Sequence, residues 1–116
     1  METAVKVFER VHIDFAQFEG SNFMVFLDAF SKFPIIRRMR DITTESTIKE
    51  LLKIISLFGI PNKIISDNGT NFTSNLFKKF CSDHVIEHIF TTPHHQQSNG
   101  DYIESIYSLQ QVQWSV

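Results

Sequence analysis

The 116-residue sequence predicts an α/β fold, a mixed five-stranded sheet with helices on both faces and elements in the order βββαβαβα. The first half carries three consecutive runs with the apolar content of strands. The apolar period then changes to that of a helix, and short apolar runs alternate with helical patterns as far as the C-terminus. No repeat, linker or low-complexity tract divides the chain, so residues 1–116 are expected to form one domain.

The composition is that of a globular domain and argues against several other classes of protein. Hydrophobic residues make up 42% of the chain and charged residues 21%, which is ordinary for a globular domain, and the single cysteine cannot form an internal disulfide. A formal charge of −2 argues against a protein whose affinity comes from neutralising nucleic-acid phosphates alone. No signal-peptide pattern and no long apolar run is present, so we expect an intracellular, nuclear or cytoplasmic protein that does not enter a membrane.

The first three elements are expected to form an antiparallel meander. Residues 11–15 alternate in polarity, which places Asp14 on the face opposite Val11 and Ile13. Residues 23–29 form a nearly continuous apolar run after a turn-like segment, and residues 33–39 follow too closely for anything but an antiparallel partner.

The next element is a helix with recognisable start and stop signals. Thr43 and Thr44 are candidate N-caps, and Gly59 and Pro61 close the pattern. The residues at helical spacing, expected to face the core, are Ile48, Leu51, Leu52 and Ile55.

The remaining elements alternate in type. Residues 63–66 and 85–91 read as strands, and residues 101–113 as a helix that the chain end cuts off. Between the two strands, Thr73 or Ser74 can cap another helix. Its side chains expected to face the core are Leu76, Phe77, Phe80 and Cys81.

Two carboxylates stand at unusual positions. Asp14 lies on an otherwise apolar strand, and Asp67 ends a buried strand just before Asn68 and Gly69. If the two strands are neighbours, the carboxylates repel each other, and a hard divalent cation such as Mg²⁺ or Mn²⁺ would relieve the repulsion. The alternative interpretation is structural, with Asp14 a strand-edge charge and Asp67 a turn former.

Five ordered motifs between about residues 11 and 109 add a family resemblance. They are His12-Ile-Asp14-Phe, Phe26-Leu-Asp28-Ala-Phe-Ser-Lys-Phe-Pro34, Phe58-Gly-Ile-Pro61, Ile65-Ser-Asp67-Asn-Gly-Thr-Asn-Phe72 and Ser98-Asn-Gly100. Together they resemble the catalytic core of the integrases of retroviruses and Gypsy-like retrotransposons. The resemblance implies a ribonuclease-H-like fold and a transposable-element origin.

The same resemblance implies a function and a site. The function is DNA integration, with DNA end processing and polynucleotidyl transfer at two Mg²⁺ or Mn²⁺ ions held by Asp, Asp and Glu. Asp14 and Asp67 match the first two acids. The implied partners are element-end DNA, target DNA and further copies of the chain, in a homodimer or higher oligomer.

The third acid is displaced by one position. The family glutamate lies three residues after the glycine of the Ser-Asn-Gly motif, which here is Ile103, and the nearest glutamate is Glu104. Two alternatives follow. Either Glu104 is the third ligand because the helix starts one residue later, or the chain is a catalytically inactive derivative. An inactive derivative would serve as a DNA-binding or dimerisation module, or would be a decayed mobile-element remnant.

Roles are also expected for His95, Asn99 and Asp28. His95 matches the histidine of the family loop before the last helix, and Asn99 belongs to the Ser-Asn-Gly motif, so the resemblance implies that both contact DNA. Asp28 matches a common family aspartate. Because Ser31 and Lys32 follow it in a turn, we expect Asp28 to cap that turn rather than to bind metal.

Overall fold

The computed structural model describes residues 8–91 and 100–114. The strands are β1 (Arg10–Phe18), β2 (Ser21–Asp28), β3 (Pro34–Met39), β4 (Lys63–Ser66) and β5 (Glu87–Phe90). The helices are α1 (Thr44–Phe58), α2 (Thr70–Thr73), α3 (Asn75–Asp83) and α4 (Gly100–Trp114). The predicted order of elements is therefore confirmed, with the four-residue α2 added before α3.

The five strands form one mixed sheet of order β3-β2-β1-β4-β5. β1, β2 and β3 pair antiparallel as the predicted meander, whereas β4 pairs parallel with β1 and β5 pairs parallel with β4. β5 starts at Glu87 and not at residue 85, as the sequence had predicted, because the exposed Val85 has a positive φ of 55°, which takes it out of the strand conformation.

Apolar side chains are buried on both faces of the sheet. The larger cluster, beneath α1 and α3, contains Val11 and Ile13 of β1, Leu51 of α1 and Phe77 of α3. The smaller cluster lies on the opposite face and consists of Phe23, Ile36 and Ile103 of α4, with Ala16 and Val25 among the residues packed against it. Helices therefore cover both faces, as the sequence predicts.

Helix α1 has the predicted caps but a different buried face. The Thr43 hydroxyl accepts a hydrogen bond from the Ser46 amide (3.2 Å), and the Gly59 amide donates to the Ile55 carbonyl (2.8 Å) at a φ of 97°. The fully buried residues are Thr47, Leu51 and Ile54. The expectation that Leu52 faces the core is wrong, because Leu52 is rotated about 100° around the helix from Leu51.

Helix α3 also has its predicted cap, and one of its four residues expected to face the core is exposed. The Ser74 hydroxyl accepts from the Phe77 amide (3.2 Å) as the predicted cap, and Phe77, Phe80 and Cys81 are buried. Leu76, however, is exposed, since it lies one helical step away from Phe77. Within the described residues, no helix is long and apolar enough to span a membrane.

Asp28 has the structural role that the sequence predicts. Its carboxylate accepts hydrogen bonds from the Ser31 hydroxyl (2.6 Å), the Ser31 amide (2.8 Å) and the Phe8 amide (2.7 Å). These bonds hold the β2–β3 turn and tie the start of the described chain to the end of β2.

Helix α4 is fixed to the edge of the sheet by one buried amide. The Gln110 side chain accepts a hydrogen bond from the Ile36 amide through Oε1 (3.1 Å) and donates one to the Pro34 carbonyl through Nε2 (2.5 Å). The side chain thus satisfies outward-facing backbone groups of the edge strand β3 and sets the rotational register of α4.

Substitution of Leu51 and Leu52 tests the observed face of α1. Leu51→Ala should lower the free energy of unfolding by about 2–5 kcal/mol, because it opens a cavity in the larger cluster. Leu52→Ala, the matched control at an exposed site, should cost well under about 1 kcal/mol. Chemical denaturation measures both, and equal losses would contradict the observed register.

Candidate functional site

The parallel pairing of β1 with β4 brings the two candidate carboxylates together. Arg10 pairs with Lys63 and His12 with Ile65, so the two strands run side by side towards Asp14 and Asp67, and the charge of Asp67 acts on the Asp14 carboxyl. Asp14 belongs to the meander, whereas Asp67 is the first residue after β4, where the chain leaves the sheet. The two strands are therefore neighbours, which is the condition for a site shared by both carboxylates.

The pleat of β1 decides which face carries Asp14. Ile13 and Phe15 belong to the larger cluster, so Asp14 points to the opposite face, which α4 covers only in part. Its cross-strand neighbour Val25 and the next residue on its face, Ala16, pack against the smaller cluster. Asp14 thus lies at the exposed margin of the smaller cluster.

The environment shifts the acidity of Asp14. Desolvation against the sheet raises the pKa of its carboxyl, the hydrogen bond from the Phe15 amide acts in the opposite direction, and the negative charge of Asp67 adds to the rise. The pKa of Asp14 is therefore above its ordinary value. A second carboxylate that opposes ionisation is the electrostatic pattern that a bound cation would reverse.

In Asp14 and in Asp67, one carboxylate oxygen accepts a hydrogen bond from a nearby backbone amide, and the other oxygen stays open. Oδ1 of Asp14 accepts from the Phe15 amide (2.8 Å), and Oδ1 of Asp67 accepts from the Gly69 amide (2.9 Å). A Cβ atom at Gly69 would come within 3.1 Å of that Asp67 oxygen, so glycine permits this close turn. Among the described residues, no donor bonds the Oδ2 atom of either aspartate.

Asp67 has the turn-forming role of the structural interpretation, and this role leaves one carboxylate oxygen open. It forms the predicted turn through Oδ1, and its second oxygen is available to a ligand. Two adjacent carboxylates with open oxygens form a ligand pair suited to a hard divalent cation. Their role as metal ligands stays a prediction.

The structure does not bring Glu104 to this pair. Helix α4 begins at Gly100, and the residue it turns into the sheet is Ile103, which is buried within the smaller cluster. Glu104 instead lines a surface pocket with Phe18 and Glu19. Phe18 lies four residues beyond Asp14 along β1, or about 13 Å at about 3.3 Å per residue.

The available donor set therefore fits part of the site that the sequence resemblance implies. Throughout residues 8–91 and the described side chains of α4, no group of three His, Cys, Asp or Glu side chains is placed to hold a metal ion. The two aspartates suit one divalent cation, whereas a two-ion site built on three carboxylates lacks its third member in this arrangement. His95 and Asn99 lie outside the described residues.

Sequence reasoning missed two residues beside the site. The Ser66 hydroxyl and the His88 ring nitrogen Nε2 are 2.7 Å apart, and Ser66 immediately precedes Asp67 in the chain. A polar residue at the end of the apolar run 63–65 was the available signal for Ser66. His88 gave no signal, because only the pairing of β5 with β4 places it there.

A family model and several related proteins match most of this chain. Residues 4–96 match the family model described as "Integrase core domain". An uncharacterized protein of Caenorhabditis elegans is 42% identical over 93 residues, and the Gag-Pro-Pol polyprotein of Mason-Pfizer monkey virus is 38% identical over 76 residues. These matches cover 79% and 66% of this chain but only 7% and 4% of the respective relatives.

Two solved structures have folds similar to that of this chain. The HTLV-2 integrase catalytic core domain in complex with magnesium, in a dimeric form, matches with a TM-score of 0.68 and 28% identity, over 73% of this chain and 61% of that one. A simian T-cell lymphotropic virus intasome chain matches with a TM-score of 0.75 over 92% of this chain and 43% of that one. At 22% identity, the second match supports the fold alone.

The raised pKa of Asp14 predicts a stability cost at neutral pH. An acid whose pKa is raised by folding binds its proton more tightly in the folded state, so its ionisation destabilises the fold above that pKa. Asp14→Asn should therefore unfold at higher denaturant than wild type at pH 7. The difference should vanish below about pH 3, where the carboxyl is protonated in both states.

Asp28→Asn is the control with the opposite sign. Burial acts to raise the pKa of Asp28, but hydrogen bonds from Ser31, Phe8 and Phe30 outweigh it and lower that pKa. This stabilisation is present above the unfolded-state pKa and is lost as pH falls through the folded-state value. Asp28→Asn should hence be less stable than wild type at pH 7. Urea denaturation between pH 3 and 7 measures both variants, and shifts of the same sign at pH 7 would refute the assignment.

Proposed function

The chain belongs to the integrase core domain family, and from this premise we propose that it acts in DNA integration by holding a divalent cation on Asp14 and Asp67 where DNA binds. Mg²⁺ and Mn²⁺ are the expected ions, because two carboxylate oxygens form a hard ligand pair. The observation that carries the proposal is the position of the two aspartates on β1 and just after its parallel neighbour β4, with the charge of Asp67 opposing ionisation of Asp14.

The residues of the chain have distinct tasks in this proposal. A bound divalent cation would supply charge neutralisation at a phosphodiester and lower the pKa of a water molecule. Asp14 offers its open oxygen from the rigid central strand β1, and Asp67 offers one from the turn that Gly69 permits. The strand and the hydrogen-bonded turn would orient the two oxygens for a cation, which limits the ordering that binding would require.

Position 103 favours a core with little catalytic activity of its own. Ile103 lies in the apolar cluster that borders Asp14, at the position the family resemblance assigns to the third acid. For Glu104 to take its place, α4 would have to turn by about 100° and shift by about 1.5 Å. The two hydrogen bonds from Gln110 to β3 oppose that movement. The inactive alternative, a DNA-binding or dimerisation module or an element remnant, therefore rests on a specific observation.

Membership of the family supports a proposal for the partners and the location of the chain. We propose element-end and target DNA as partners, with His95 and Asn99 contacting the DNA, since both match family motifs. The HTLV-2 cores to which this chain is similar are dimeric and trimeric, which supports self-association as a homodimer or higher oligomer. Action on DNA is consistent with an intracellular location, in the nucleus or the cytoplasm.

Titration with Mn²⁺ tests the ligand pair directly. Wild type should bind Mn²⁺, and Asp67→Asn should weaken binding by about 10-fold or more, because it removes one of two charged ligands. Asp83→Asn is the matched control, since Asp83 is an exposed carboxylate that pairs with Lys79 on α3 at 2.8 Å. Electron paramagnetic resonance of free Mn²⁺ gives the affinities. An Asp67→Asn affinity equal to that of wild type would exclude the shared site.

Restoring the third acid tests the displaced register. Ile103→Glu should strengthen Mn²⁺ binding and raise Mn²⁺-dependent nicking of element-end DNA above the low level expected of wild type. Without Mn²⁺, the variant should be less stable than wild type, because a carboxylate then occupies an apolar cluster.

Two further variants serve as controls in the same assay. Ile103→Gln has a similar shape but no charge and should lose stability without gaining affinity for Mn²⁺. Glu104→Gln should leave both binding and nicking unchanged. If wild type nicks efficiently and Glu104→Gln abolishes nicking, Glu104 is the third ligand and the inactive alternative is wrong.

A further inference from the structure

The residue before Asp67 is a buried serine with two polar partners. Ser66 ends β4 and is 2% exposed. Its hydroxyl donates to the carbonyl oxygen of Asp67 at 2.9 Å, and the same oxygen atom lies 2.7 Å from Nε2 of His88. When the hydroxyl gives its single proton to Asp67, it accepts from His88, an arrangement that requires the His88 tautomer with a proton on Nε2.

The His88 ring is held in a single apolar niche. Its ring centre lies 4.2 Å from that of Phe90, 5.1 Å from that of Phe77 and 6.2 Å from that of Phe72. Desolvation in this niche lowers the pKa of His88, which favours the neutral ring. The contact with Ser66 is therefore a hydrogen bond between neutral groups at a position fixed by aromatic packing.

Thr91, the residue after β5, also holds Ser66 through two hydrogen bonds. The Thr91 amide donates to the Ser66 carbonyl at 2.8 Å, and the Thr91 hydroxyl donates to it at 3.3 Å. Beyond Ser66 the chain leaves the sheet, so the strand ladder no longer restrains Asp67. The hydroxyl of Ser66 is the side-chain group that reaches past the strand end to the Asp67 peptide.

We propose that Ser66 and His88 act as a positioning pair, which fixes the Asp67 peptide and thereby aims the Asp67 carboxylate at the cation. The inference rests on the proposed function, because it assigns a task to residues behind one of its two ligands. Neither residue touches the cation. Such outer hydrogen bonds orient metal ligands, and their loss commonly weakens metal binding by about 10-fold or more.

Mn²⁺ affinity and rescue distinguish positioning from general stability. Ser66→Ala and His88→Phe should each weaken Mn²⁺ binding by about 10-fold, whereas His88→Gln, which keeps an N–H donor, should recover most of the affinity. Thr47→Val is the control that removes a buried hydroxyl elsewhere, on α1. It should lower the unfolding midpoint yet leave Mn²⁺ affinity unchanged. Wild-type affinity in both Ser66→Ala and His88→Phe would overturn the proposal.

A second substitution locates the effect on Asp67. In an Asp67→Asn background, Ser66→Ala should cause no additional loss of Mn²⁺ affinity, because the ligand it positions is already impaired. In an Asp14→Asn background the loss should persist, since Asp67 remains as a ligand. Equal additional losses in the two backgrounds would show that Ser66 does not act through Asp67.

A metal-free measurement separates this proposal from the proposed function. The Gly69 amide donates to Oδ1 of Asp67, so its proton chemical shift and temperature coefficient report where that carboxylate lies. Ser66→Ala should change both values, and Thr47→Val should not. If wild type fails to bind Mn²⁺, the proposed function fails, and the Gly69 signal still decides on positioning. An unchanged Gly69 signal in Ser66→Ala would refute it.

Discussion

The parallel pairing of β1 with β4 is the constraint on which the rest of the arrangement depends. It joins the N-terminal meander to the second half of the chain, and it brings Asp67 close enough for its charge to act on Asp14. Both strands contribute fully buried residues, Val11 and Ile64, to one apolar cluster. A shift by one residue would move these side chains to the opposite face. The packing that stabilises the fold thus also brings the two aspartates to the same region of the sheet.

This pairing carries an electrostatic cost that other contacts offset in part. Desolvation and the charge of Asp67 both oppose ionisation of Asp14, while backbone amides of Phe15 and Gly69 each stabilise one carboxylate oxygen. Asp28 shows the contrasting case, in which several donors satisfy a buried carboxylate and lower its pKa. A fold that satisfies one aspartate and leaves open oxygens on two adjacent ones has the pattern expected of a binding site.

Helix α4 decides how far this site resembles that of the family. Its register is set by Gln110, which bonds the free edge of β3, and by Ile103, which fills the smaller cluster. A difference of one position matters because neighbouring helical residues point about 100° apart. The apolar Ile103 therefore adds to packing at the position where the family resemblance places an acid, and Glu104 faces the pocket beside Phe18. The same step of about 100° explains why Leu52 and Leu76 are exposed although the sequence predicted them to be buried.

Local patterns were enough to predict the order and type of the elements apart from α2, the neighbourhoods of the caps Thr43 and Ser74, and the family, because these depend on local periodicity, local hydrogen bonds and short motifs. They also indicated the role of Asp28, which bonds Ser31 within its own turn. The three-dimensional packing was needed to place β5 at the sheet edge beside β4, Glu104 outside the pair of aspartates, and Ser66 in contact with His88, 22 residues away. Strand pairing and helix register depend on how distant segments bury their apolar faces together, and no local pattern encodes that choice.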